Sequence, residues 1–143
     1  MQLDTNFYER CIDTLEKAFS KLTQADPENI EYDIYRSACI KEFEIILEQS
    51  GKLLKKILKP FFHSSKAVDS LYFKDIFRHA AKHNLLTEES CEHWLLYSDI
   101  RNNTAHDYGV NFAEETLTLL PQFLKEARLL AEIINQHGDA DKR

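Results

Sequence analysis

Apolar residues recur every three or four positions along this chain, in five stretches separated by short polar breaks. That period marks amphipathic helices. Residues 5–25 place Phe7, Cys11, Leu15, Ala18 and Leu22 on one face. Asp4 or Thr5 can cap the start of this helix, and Asp26-Pro27 ends it. Residues 28–59 form a second, longer stretch, with a broad stripe that includes Ile34, Phe43, Ile46, Leu47, Leu54 and Leu58. Gly51 weakens that pattern locally, and Pro60 follows its last turn.

A third helix is expected over residues 70–83, with an N-cap at Val68-Asp69-Ser70 and Asn84 as a C-cap residue. The fourth begins after Thr87, whose hydroxyl is a good cap, with Glu88 and Glu89 suited to the positive helix end. Trp94, Leu95 and Ser98 mark its inner side. Asn102-Asn103-Thr104 are weak helix formers, and a bend or frayed end is expected there. The fifth covers residues 111–136, opened by a capping box at 111–114 and stopped by Gly138. Pro121 in its interior predicts a kink or break.

Gly and Pro number three each, too few for the many tight turns of a sandwich or barrel. The expected fold is therefore all-α, an up-and-down bundle of four to five helices. The 143 residues fit one domain over residues 1–143, with enough chain to bury a sizeable core.

Charge and cysteine content narrow the function. A formal net charge of -6 argues against broad nucleic-acid affinity but leaves room for a local phosphate site or a basic partner. Cys11, Cys39 and Cys91 are scattered and show no zinc or disulfide spacing, which points to a reducing compartment. No signal-peptide core and no membrane-length apolar run is present, so a cytoplasmic location without membrane association is expected. His79 and His83 have a metal-capable spacing but no third ligand, and a solvated face is the plainer reading. The stripe Lys52, Lys55, Lys56 and Lys59 and the clusters around Glu42 and Glu88 read as surface charge. His93 has no evident partner in the sequence.

The chemistry concentrates between Ser98 and Gly109. Arg101, Asn102, His106 and Tyr108 bring a guanidinium, an amide, an imidazole and a phenol into one short segment. Arginine can hold a phosphate through a planar fork. Histidine can move a proton near neutral pH. Tyrosine offers a hydroxyl for hydrogen bonding or group transfer. On a regular helix, however, a spacing of five residues sets Arg101 and His106 about 140° apart. Their convergence needs a break in the helix or a second chain. The alternative is an ordinary helix end, with Arg101 on the last carbonyls and His106 against the negative dipole.

Arg101-Asn102, His106 and Tyr108 form the pattern R-N-x3-H-x-Y, which resembles the motif of HEPN domains. More narrowly, the chain resembles the nucleotidyltransferase substrate-binding proteins, small helical proteins encoded beside a minimal nucleotidyltransferase. The likeness extends to the chain length, the long early helices and the acidic stretch Glu114-Glu115-Thr116. It implies a homodimer whose two motifs share one cleft, and metal-independent RNA cleavage without a cofactor. It assigns Arg101 and His106 as catalytic residues and Asn102 as their support. In toxin–antitoxin pairs of this type the nucleotidyltransferase partner transfers AMP to the tyrosine matching Tyr108, which silences the RNase. The resemblance equally accommodates a non-catalytic subunit that binds a nucleotide or other substrate for the nucleotidyltransferase.

Overall fold

The structure, a computed structural model, describes residues 3–104 and 110–140 of the backbone. These form six α-helices: α1 (Asn6–Gln24), α2 (Ile30–Leu58), α3 (Ser65–Asp69), α4 (Phe73–Lys82), α5 (Glu88–Thr104) and α6 (Val110–Ala140). A single 3-10 turn, Lys59–Phe61, follows α2. The architecture is an all-α bundle, as the hydrophobic period predicts.

Polar contacts fix how the long helices run. The Thr5 hydroxyl at the start of α1 lies 2.8 Å from Asn135 Oδ1, near the end of α6. One end of the Arg128 side chain reaches Asp13 at 3.0 Å and Glu16 at 3.2 Å further along α1. Rising numbers on α1 thus meet falling numbers on α6, so the two are antiparallel. Tyr8 of α1 hydrogen-bonds Ser50 of α2 at 2.7 Å, and Ser50 donates its own proton to the Ile46 carbonyl. The Tyr8 hydroxyl must therefore be the donor to Ser50.

Helix α5 is clamped to α6. Both His93 and Ser90 bond the Glu126 carboxylate, the imidazole Nδ1 at 2.9 Å from Oε1 and the hydroxyl on Oε2. One turn on, Gln122 donates to the Tyr97 hydroxyl at 2.9 Å. His93 thus has a structural partner on another helix, which its sequence neighbours did not reveal.

Between these helices lies an aromatic core. Phe77 of α4 stacks on Trp94 of α5 with ring centroids 5.0 Å apart. Tyr97 meets Phe123 of α6 edge-on at 5.0 Å, and Phe123 meets Phe43 of α2 at 4.7 Å. All five rings are fully buried. Burial pushes the Tyr97 phenol up to about 12, and pushes Tyr8 above the ordinary tyrosine range.

Several sequence expectations are corrected. Tyr8 rather than Phe7 faces the core, and Phe7 is exposed. Both residues satisfy the helical period, and the buried hydroxyl partner Ser50 decides between them. Ile34 is exposed, at the edge of a shallow hollow between α1 and α2. Glu42 is half-buried beside Cys11. The third helix begins at Phe73, and residues 65–69 form a separate short helix capped by the Ser64 hydroxyl. Helix α5 runs without a break through Asn102 and Asn103 and ends at Thr104, within the run where a bend or frayed end is expected. Helix α6 begins at Val110, passes through both Pro121 and Gly138, and ends at Ala140. Pro121 is exposed, so water can serve the carbonyl deprived of its usual donor.

Candidate functional site

Two helix-end motifs position α5 against α4. Asn84 adopts φ 61°, and its N–H bonds the Ala81 carbonyl while the Leu85 N–H bonds Ala80. This pair of bonds is a Schellman closure of α4. Three residues later the Thr87 hydroxyl accepts the Ser90 N–H at 3.0 Å, capping α5 as its sequence predicts. The chain therefore turns from α4 into α5 within a few residues, and the two helices pack side by side.

At the far end of α5, Arg101 is half-buried and Asn102 exposed. Both open onto a groove of about 460 Å³ where α2, α4 and α5 meet. Leu47 forms its α2 wall. Tyr72, Phe73, Lys74, Asp75 and Arg78 come from α4 and the residue before it. Ser98, which is buried, completes the α5 side. Lys74 forms an ion pair with Asp99 of α5, and Arg78 pairs with Asp75 at 3.4 Å.

The groove thus carries three cations, Lys74, Arg78 and Arg101, against two carboxylates, Asp75 in the lining and Asp99 bound to Lys74. On a chain of net charge -6, this is a locally basic hollow with an exposed aromatic ring at its mouth. Such a set can hold a phosphate through forked and point-charge donors. Among the described lining residues there is no imidazole to move a proton. His106 and Tyr108, the other two sequence-predicted site residues, lie outside the described residues. The structure therefore brings together Arg101 and Asn102 from the predicted set.

Tyr72, Lys74 and Arg78 were not singled out from the sequence. The available signal was the spacing of Lys74 and Arg78, four apart on the polar side of a helix whose buried face is Ile76, Phe77 and Ala80. The possible metal pair behaves differently from a metal site. His79 packs edge-on against Phe62 at 5.0 Å and His83 stacks on Phe61 at 4.4 Å. Among the described residues, no group of three His, Cys, Asp or Glu could hold a metal ion. Among them, too, no helix is long and apolar enough to cross a membrane. All three cysteines are free and buried. Burial pushes the Cys39 thiol up to about 11, and burial together with the Glu42 carboxylate does the same to Cys11.

The fold is an all-helical bundle with a groove at the end of α5, and comparison with known proteins shows its family. Residues 4–136 match the family described as nucleotidyltransferase substrate-binding protein like. A Haemophilus influenzae protein named probable ribonuclease HepT is 30% identical over 113 residues, covering 79% of this chain and 76% of that protein. A solved Haemophilus influenzae protein, described as having the fold of a substrate-binding domain of a nucleotidyltransferase, superposes with a TM-score of 0.78 at 26% identity. The match covers 92% of this chain and 98% of that one. A solved Thermus thermophilus protein superposes with a TM-score of 0.59 at 27% identity, over 86% of this chain and 98% of that one. The chain belongs to the nucleotidyltransferase substrate-binding protein family.

Proposed function

We propose that this chain is the HEPN-type subunit of a two-component, toxin–antitoxin-like system with a minimal nucleotidyltransferase, and that its homodimer is a metal-independent endoribonuclease. The observation that carries this reading is the placement of Arg101 and Asn102 on a basic groove at the end of α5. Family membership and the ribonuclease name of the Haemophilus relative support it.

In this reading the ribose 2′-hydroxyl loses its proton and attacks the adjacent phosphorus. The bond to the 5′-oxygen breaks, and that oxygen takes up a proton. His106 handles the proton transfer at the 2′-oxygen. Arg101 offsets the charge that builds on the phosphoryl oxygens. Asn102 positions Arg101 or the RNA. Because Arg101 and His106 point apart on a regular helix, the dimer supplies one from each chain to a shared phosphate. The partner nucleotidyltransferase silences the site by transferring AMP from ATP to the Tyr108 hydroxyl, with pyrophosphate as the leaving group. A bulky anion there excludes the RNA phosphate by size and charge.

The test is RNA cleavage by the purified chain in the presence of a chelator. Wild-type protein cleaves and His106→Ala does not. Equal cleavage by both, or by neither, removes the enzymatic reading. Co-expression with the adjacent nucleotidyltransferase adds the mass of AMP to wild type and not to Tyr108→Phe.

The second reading is a non-catalytic subunit that holds a nucleotide or other substrate for the nucleotidyltransferase. The family description and the acidic net charge favour it. A stable mixed complex with neither cleavage nor modification would select it.

A further inference from the structure

The groove beside Arg101 contains more than one phosphate contact needs. Tyr72 is 80% exposed, the highest value among the large apolar side chains described. It stands at the N-cap of α4, yet its side chain makes no capping bond there. A ring so exposed contributes little to the core. At the mouth of a basic hollow, it offers a flat face to a flat ligand. Lys74 and Arg78 follow at two and six residues along the same helix, one turn apart from each other.

Their present partners are weak holds. Lys74 pairs with Asp99 and Arg78 with Asp75 in ion pairs whose members are all at least one-third exposed. Exposed pairs of this kind contribute little and are screened by salt, so a phosphate can replace the carboxylates. The volume of about 460 Å³ is suited to one nucleotide-sized group.

We infer that this groove is a nucleotide subsite for single-stranded RNA, in which Tyr72 stacks on a base flanking the cleaved linkage and Lys74 and Arg78 hold its phosphates. The inference rests on the RNase reading for the identity of the strand, and it names the form of RNA that reading leaves open. A base can reach Tyr72 only when it is unstacked from its neighbours, so single strands are preferred to duplex. Cation spacing along one helix face supports binding without sequence readout, because phosphates and π-faces are common to all nucleotides.

The experiment is fluorescence anisotropy with the full chain and a mixed-sequence RNA oligonucleotide carrying 2′-O-methyl riboses, which removes the attacking hydroxyl. Binding is thereby read without cleavage, and failure of the RNase assay does not decide this one. Tyr72→Ala is expected to weaken binding about tenfold or more, the effect of losing one stacked base. Lys74→Gln with Arg78→Gln is expected to weaken binding and to lower the slope of log affinity against log salt by roughly 0.7 per lost phosphate contact. Lys17→Gln with Lys21→Gln removes the same charge from α1, away from the groove, and leaves affinity unchanged to within twofold. The same RNA annealed to its complement binds more weakly than the single strand. Circular dichroism on each variant confirms that the helices are retained, and all the groove substitutions lie on exposed or half-exposed side chains.

Three results would overturn the assignment. The first is wild-type affinity in all groove variants, or no RNA binding by the wild type. The second is loss of binding to the co-expressed nucleotidyltransferase with RNA affinity intact, which would make the groove a protein interface. The third is displacement of the oligonucleotide by free AMP at the concentration of unlabelled oligonucleotide, which would make it a mononucleotide site.

Discussion

Gly51 of α2 and Phe73 of α4 touch: a methyl group built on Gly51 would lie 2.9 Å from Phe73 Cδ2 and 3.1 Å from Cε2. The glycine that weakens the helical pattern of α2 is therefore the point at which α4 begins its packing. Phe73 is next in the chain to both Tyr72 and Lys74, so this contact also sets the height of the groove wall. Phe73 in turn leans on Phe77 at 4.8 Å, which stacks on Trp94, so a shift of the ring disturbs its contact with the aromatic core.

Gly51→Ala separates local propensity from packing. In an open helix the change would stabilise by about 1 kcal/mol. Here the displaced Phe73 ring is expected to reverse the sign and give a net loss of about 1–3 kcal/mol, as overpacking usually does. Thermal or urea unfolding reads the difference. A raised melting temperature would show that the ring moves aside freely.

Asn84 holds the left-handed turn that closes α4. Asn84→Gly should keep or slightly raise stability, because glycine adopts positive φ without a Cβ clash. Asn84→Val should cost about 1–2 kcal/mol, since a β-branched residue resists that conformation. Equal unfolding midpoints for the two variants would contradict the Schellman geometry.

High pH should unfold the protein from several buried groups at once. Cys11 and Cys39 are raised from 9.0 to about 11, and Tyr97 from 10.0 to about 12. In each case the folded state keeps a proton that the unfolded chain releases. Their contribution is fully present below pH 9, begins to fall as the unfolded thiols ionise, and is lost as pH rises through the folded values up to about 12. Urea midpoints measured from pH 7 to 11 should stay flat at first and decline beyond about pH 9. The buried thiols should also resist alkylation at neutral pH until urea is added. A midpoint that rises with alkalinity would contradict the burial of these groups.

The helices are legible in the sequence where the apolar period is long and the stops are chemical. Thr87 and Asn84 mark the α4–α5 turn because hydroxyl caps and left-handed asparagine are local properties. The register of α1 is less legible, because Phe7 and Tyr8 both fit the period and the choice depends on Ser50, 42 positions beyond Tyr8. Pro121 predicts a kink or a break from local sterics alone, and of these the long packed helix around it overrides the break. Arg101 and Asn102 stand out through their motif. Tyr72, Lys74 and Arg78 do not, since only the packing of α4 between α2 and α5 brings them to the same hollow. The same limit hides the partnership of His93 with Glu126.

The proposed RNA cleavage requires Arg101 and His106 to act on one phosphate from two chains. The direct measurement mixes two purified variants, Arg101→Ala and His106→Ala, under conditions that allow the dimers to exchange, and follows RNA cleavage. Each variant alone should be inactive. Random pairing makes about half of the dimers mixed, and each mixed dimer holds one intact site of its two, so cleavage should return to about a quarter of wild type. No recovery on mixing, or wild-type cleavage by either variant alone, would contradict the shared site.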